Sequence, residues 1–106
     1  MNFYKIEIGN EPHQIIDFDF FDNKVRLDLT FNTINKRWFV SVKDLKNDVI
    51  IANSLALVCG AVLLERVNTN YFMIINDLSE NGLDPSSLDD FINRCELLVG
   101  LKNETI

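Results

Sequence analysis

With a single histidine, His13, the chain cannot build a Ser-His-Asp triad or a multi-histidine metal centre from its own residues. Beside Pro12, His13 reads as a loop residue. Cysteine is nearly as scarce: Cys59 and Cys95 have neither CxxC spacing nor a neighbouring histidine, and both lie among apolar residues. Reduced, buried thiols are expected. Apolar runs are too short and too often broken by charge to span a bilayer, and no basic segment precedes an apolar stretch at the N-terminus, so neither membrane insertion nor secretion is expected. Basic residues are few as well. Ten Lys and Arg against sixteen Asp and Glu give a formal charge of -6, and the ten are scattered, which argues against nucleic acid as a partner. A glycine-rich phosphate loop, a G-x-S-x-G elbow and a Cys/His dyad are all missing, so neither an enzyme nor a cofactor site is expected.

What the chain does have is 47% hydrophobic residues, eight of them Phe, spread over 106 positions. That is the size and composition of one globular domain, 1–106, with one modest core. The most regular stretch is 14–43, where Ile16, Phe18 and Phe20, then Val25, Leu27, Leu29 and Phe31, then Trp38, Val40 and Val42 recur at every second position. A period of two predicts three consecutive strands. With a turn at Asp22-Asn23, Phe20 would face Val25, Phe18 would face Leu27 and Ile16 would face Leu29, while Asp19 would meet Arg26 on the other side. The same register sets Asp17 against Asp28. Across the next turn, in 32–36, Phe31 pairs with Trp38, Leu29 with Val40 and Leu27 with Val42, so the middle strand is covered on both flanks.

A short first strand runs over 3–8, with Tyr4, Ile6 and Ile8 alternating against Lys5 and Glu7, and ends before Glu11-Pro12. Val49-Ile50-Ile51 forms a further strand that stops near Asn53-Ser54. The segment 54–67 suits either a buried helix capped by Ser54 or extended chain turning at Cys59-Gly60. Gly60 costs a helix about 1 kcal/mol relative to Ala, and the surrounding pattern is extended, which favours the second. A β-prone run covers 71–76, a loop follows over 78–83, and Asp84-Pro85 reads as an N-cap followed by the first residue of a helix of about two turns ending at Asn93. Cys95, Leu97 and Val99 alternate as a last strand, and 102–106 reads as a frayed tail. The predicted fold is all-β: a small single-domain barrel or two-layer sandwich of about six to eight antiparallel strands, with one short helical turn near 85–93.

Two acidic groups invite a chemical reading. Asp17, Asp19 and Asp22 fall at or near alternate strand positions, but a calcium loop needs a tight Gly-containing turn that is absent, so a solvated sheet face is expected. Asp89 and Asp90 are neighbours near a helix start and point about 100° apart, which does not converge on one substrate atom. Alternation places Phe39, and one of Tyr71 and Phe72, on the face away from the main core. There they serve either as a second core face or as a patch for a partner.

The order of features resembles the small baseplate plug family of contractile-tailed phages. The matching pieces are Arg37-Trp38-Phe39-Val40-Ser41-Val42, the polar turn Asp44-Leu45-Lys46-Asn47-Asp48, Gly60-Ala61-Val62-Leu63-Leu64 and Met73-Ile74-Ile75-Asn76-Asp77. They continue through Asp84-Pro85 and Asp89-Asp90-Phe91 into Asn93-Arg94-Cys95-Glu96-Leu97-Leu98-Val99. Two positions depart from the pattern: Ile92 where the family usually has Gly, and Gly100 near where an aromatic closes the last strand. Ile resists positive φ, so a short helix in place of a tight turn is predicted after Phe91. The resemblance implies a structural role without catalytic residues, in the virion tail baseplate and, during assembly, in the host cytoplasm. Its implied partners are hub, spike, tail-tube or wedge subunits, with multiple copies in a threefold arrangement. A β-rich interaction module unrelated to phage tails is the alternative, and a small enzyme acting through Asp17, Asp19 or Asp89 a third reading.

Overall fold

The computed structural model describes residues 3–102. In chain order its elements are β1 (Tyr4–Ile6), β2 (His13–Phe20), β3 (Asn23–Asn32), β4 (Arg37–Asp44), β5 (Val49–Ala56), β6 (Val62–Leu63), β7 (Tyr71–Asp77), α1 (Asp90–Asn93) and β8 (Cys95–Leu101). The strands form two antiparallel four-stranded sheets, ordered β2-β3-β4-β5 and β1-β8-β7-β6. With no ladder joining them, the fold is a two-layer sandwich and not a closed barrel. The predicted tail beyond Lys102 lies outside the described residues.

Alternation builds the core. Leu27, Leu29, Val40 and Trp38 from one sheet meet Met73, Leu97 and Val99 from the other, all essentially without exposure. Pairing of β3 with β4 is as predicted, Phe31 to Trp38, Leu29 to Val40 and Leu27 to Val42. Between β2 and β3 the register differs by two residues: Phe20 pairs with Asn23, Phe18 with Val25 and Ile16 with Leu27, so the turn is Phe21-Asp22. A two-residue shift leaves every side chain on its face, so hydrophobic pattern cannot detect it. Charge separates the two registers. In the observed one Arg26 grips Asp17 through two hydrogen bonds of 2.8 and 3.0 Å, and Lys24 lies 3.3 Å from Asp19, which removes the predicted Asp17 to Asp28 clash. Phe21 turns the corner at φ 55°.

Three further expectations are corrected. His13 opens β2 instead of lying in a loop, with its Nε2 2.7 Å from Asp28 Oδ1. Strand β5 does not stop at Asn53-Ser54 but runs on to Ala56, passing Ser54 at φ 49°, where the Ser54 N–H donates to Ser41 Oγ at 3.1 Å. Segment 54–67, by contrast, follows the favoured reading: it contains no helix, turns at Gly60, φ 81°, and returns as β6. Finally, the helix does not start at Asp84-Pro85. It is a single turn with Asp89 at the N-cap position, where the side chain makes no capping hydrogen bond, because Asp84 is engaged by Cys59 and Pro85 is packed into the interior. No helix among the described residues is long and apolar enough to cross a membrane.

Candidate functional site

Most positions singled out by the resemblance converge at one end of the sandwich, where they clamp the loop 78–89. Strand β7 ends in Asp77, whose buried carboxylate takes the Ser79 N–H (3.0 Å) and hydroxyl (2.7 Å) on Oδ1 and the Leu83 N–H (2.9 Å) on Oδ2. Those hydrogen bonds, led by the Ser79 hydroxyl, hold the carboxyl well below the usual carboxylate range. Arg94 closes the clamp. Its Nη1 lies 3.2 Å from Asp77 and donates to Leu83 O (2.8 Å), while Nη2 donates to Asp84 O (2.7 Å) and Asp90 Oδ2 (3.1 Å).

The other motif positions brace the same loop. Asp84 accepts the Cys59 N–H at 2.8 Å and stands 3.5 Å from Arg37, and Gly60 supplies the positive φ of the turn just after Cys59. Trp38, fully buried, donates its indole N–H to Ser87 O at 3.0 Å and meets Phe91 edge-on at 5.6 Å. Leu63 and Leu64 are buried beside them in the same core. Asp90 accepts the Ser86 and Ser87 N–H groups, whereas the carboxylate of exposed Asp89 accepts from the Asn10 side-chain amide at 3.4 Å. Chemically this is a brace: Asp77, Asp84 and Asp90 are each occupied by backbone N–H groups. Among the described residues no three His, Cys, Asp or Glu side chains gather to hold a metal. The thiols lie against the same brace, with Cys59 Sγ donating to Leu83 O at 3.0 Å and Cys95 Sγ accepting from Arg94 at 3.2 Å. Burial pushes Cys95 up to about 12 and raises Cys59. Arg94 is the bracing residue that the sequence reading did not single out; its i+4 spacing from Asp90 was the available signal.

The predicted aromatic patch is rearranged. Phe39 lies half-buried on the outer face of its sheet, between Thr30 and Ala56. Tyr71 points inward, where it is buried against Phe20, and burial raises its hydroxyl to about 12. Phe72 does occupy the outer face, as alternation requires, but it is buried there beneath Phe3, whose ring meets it edge-on at 6.0 Å. Gly100 makes this possible: a Cβ at that position would stand 3.0 Å from Phe72 and 3.1 Å from Phe3. The two rings thus fill the space that an aromatic at position 100 would need. Beside Phe72, Val62, Glu65 and Lys102 complete a shallow depression of about 290 Å³. The aromatics that are open to solvent are Phe3, Tyr4 and Phe21, at 43, 49 and 66%. They gather at the turn end of the β2–β3 hairpin, where Phe3, Tyr4, Phe20 and Phe21 line one depression, a convergence that local sequence pattern does not reveal.

A scan against protein-family models matches residues 3–102 to the family described as cyanophage baseplate Pam3 plug gp18. The chain belongs to this baseplate plug family. The match spans every strand and the whole clamp, so the pieces of sequence that suggested the resemblance are parts of one continuous correspondence. Ile92, the first departure, lies exposed on α1, and the short helix predicted for that position is present. A search of curated proteins finds no match.

Proposed function

We propose that the chain is a non-enzymatic structural component of a contractile tail baseplate, plugging or connecting the central hub and spike region. The observation that carries this is the family match over residues 3–102, the full extent of the described fold. The clamp agrees with it in kind. Its carboxylates serve backbone N–H groups and its arginine serves carbonyls, an arrangement that stiffens a loop for contact. Leu78 and Leu83 sit exposed on that stiffened loop, and Ile92 beside it. Partners are other baseplate subunits of the hub, spike, tube or wedge. A threefold arrangement follows the symmetry expected around a central spike, and assembly takes place in the host cytoplasm.

Phe39 remains the candidate contact on the outer face, and Phe72 contributes through its depression beside Val62. A standard interface would bury about 800 Å² of the 6383 Å² surface on this side, roughly an eighth of it. Deleting the coding sequence from the phage or prophage that carries it tests the reading. Tails should form with defective baseplates, and restoring the chain in trans should repair them. Normal, infective tails without the chain would overturn it.

A further inference from the structure

One side of the sandwich is left open as a seam between β1 and β2. Among the described residues, strand β2 has a neighbour, β3, on one flank only. The Phe31 N–H donates to Pro12 O at 2.7 Å, which sets the alternation: Gln14, Ile16, Phe18 and Phe20 turn their backbone groups toward β3. His13, Ile15, Asp17 and Asp19 therefore turn theirs outward. The other sheet edges offer far less. Strand β1 has 3 residues and β6 has 2, while β5 is broken by register shifts and by Ser54 at φ 49°. An edge of 8 regular residues without a bulge is the kind that accepts another strand.

The surface along this edge is shaped to match. Three depressions follow it in sequence: about 360 Å³ beside Glu7, Glu11 and Ile15, about 510 Å³ beside Tyr4, Asp17 and Phe18, and about 270 Å³ beside Tyr4, Phe20 and Phe21. Ile16 and Phe18 belong to the inward-facing row yet stay half-exposed: among the described residues no strand lies beyond them, and the Tyr4 ring stacked on Phe18 at 6.0 Å covers it in part. Charge decides what can cover them. Asp17 and Asp19 alternate along the edge, and Glu7 and Glu11 flank it, with Arg26 and Lys24 answering the first two and Lys5 standing 3.9 Å from Glu7. Four carboxylates against three cations leave this edge with a net negative charge, so two copies paired edge to edge would set like-signed edges against each other, which is unfavourable.

We propose that this seam receives an extended, basic segment of a neighbouring subunit, which adds a fifth strand alongside β2. Its Lys or Arg side chains face Asp17 and Asp19, and its alternate apolar side chains cover Ile16 and Phe18. The inference rests on the baseplate reading for the identity of the partner, but its chemistry is testable on the isolated protein.

Amide hydrogen exchange is measured with a peptide of about eight residues alternating Lys and Val, and with a control alternating Glu and Val. At about 1 mM Lys/Val peptide, exchange of the Ile15, Asp17 and Asp19 amides should slow by about tenfold, the effect expected for a Kd near 0.1 mM. The Glu/Val peptide should leave it unchanged. Ile15→Pro removes an outward N–H at an edge position that tolerates proline, so that variant should keep the wild-type circular dichroism spectrum and lose the protection. Unchanged exchange, equal protection by both peptides, or protection of β5 in place of β2 would each overturn the proposal. So would full protection of Asp17 and Asp19 in the folded Ile15→Pro variant. None of these results depends on whether the chain enters a baseplate.

Discussion

Asp77 and Gly100 show how single side chains set this fold, and each supports a prediction. The Asp77 carboxyl titrates below its ordinary value of 3.8 because the folded chain hydrogen-bonds its ionised form. The unfolded chain therefore binds more protons in acid, so Asp77 contributes stability above that value and loses it as pH falls through the lower, folded pKa. Urea midpoints measured from about pH 2 to 5 should fall less steeply for Asp77→Asn than for the wild type, from a lower starting point. Parallel curves would remove Asp77 from the clamp. At Gly100, a Cβ would meet two ring edges at 3.0 and 3.1 Å, so Gly100→Ala should destabilise by about 1–3 kcal/mol in chemical denaturation. At this scale the sequence was only half legible. Alternation sent one of Tyr71 and Phe72 outward without saying which, and the burial of Phe72 there depends on Phe3 and Gly100, which lie far away in the chain and are invisible to any local pattern.

Strands were legible because a period of two persists across β2, β3 and β4, and their inner rows appear in the core as expected. What escaped was position along the ladder. A shift of two residues keeps every face intact, and only the Asp17 to Asp28 pairing hinted that the first turn belonged one residue earlier. The helix start escaped for a different reason. Asp84 and Pro85 have the chemistry of a helix N-terminus, but tertiary contacts with Cys59 and the core take both. Helix α1, with 4 residues, is too short to persist by itself and is held by Phe91 against Trp38. Phe91→Ala should cost about 3–5 kcal/mol in urea denaturation. A cost below about 1 kcal/mol would mean that the clamp stands without its aromatic anchor.

The whole molecule is a sandwich whose motif residues stiffen one end, while its outer face and open edge remain available for contact. Fold class and family were legible because both rest on patterns extended over most of the chain. The contact surface was not, since exposure depends on how the two sheets cover each other. Phe39 is the one predicted contact residue that the structure leaves half-exposed on an outer face. The central claim is that this chain acts by being built into a baseplate through that surface. Quantitative mass spectrometry of purified tails, comparing the wild type with a folded Phe39→Asp variant, tests it most directly. The account predicts the wild-type chain in fixed proportion to hub subunits, and the variant folded but depleted by at least about tenfold, the loss expected when a buried interface residue costs about 1.4 kcal/mol or more. A wild-type chain absent from purified tails would contradict it.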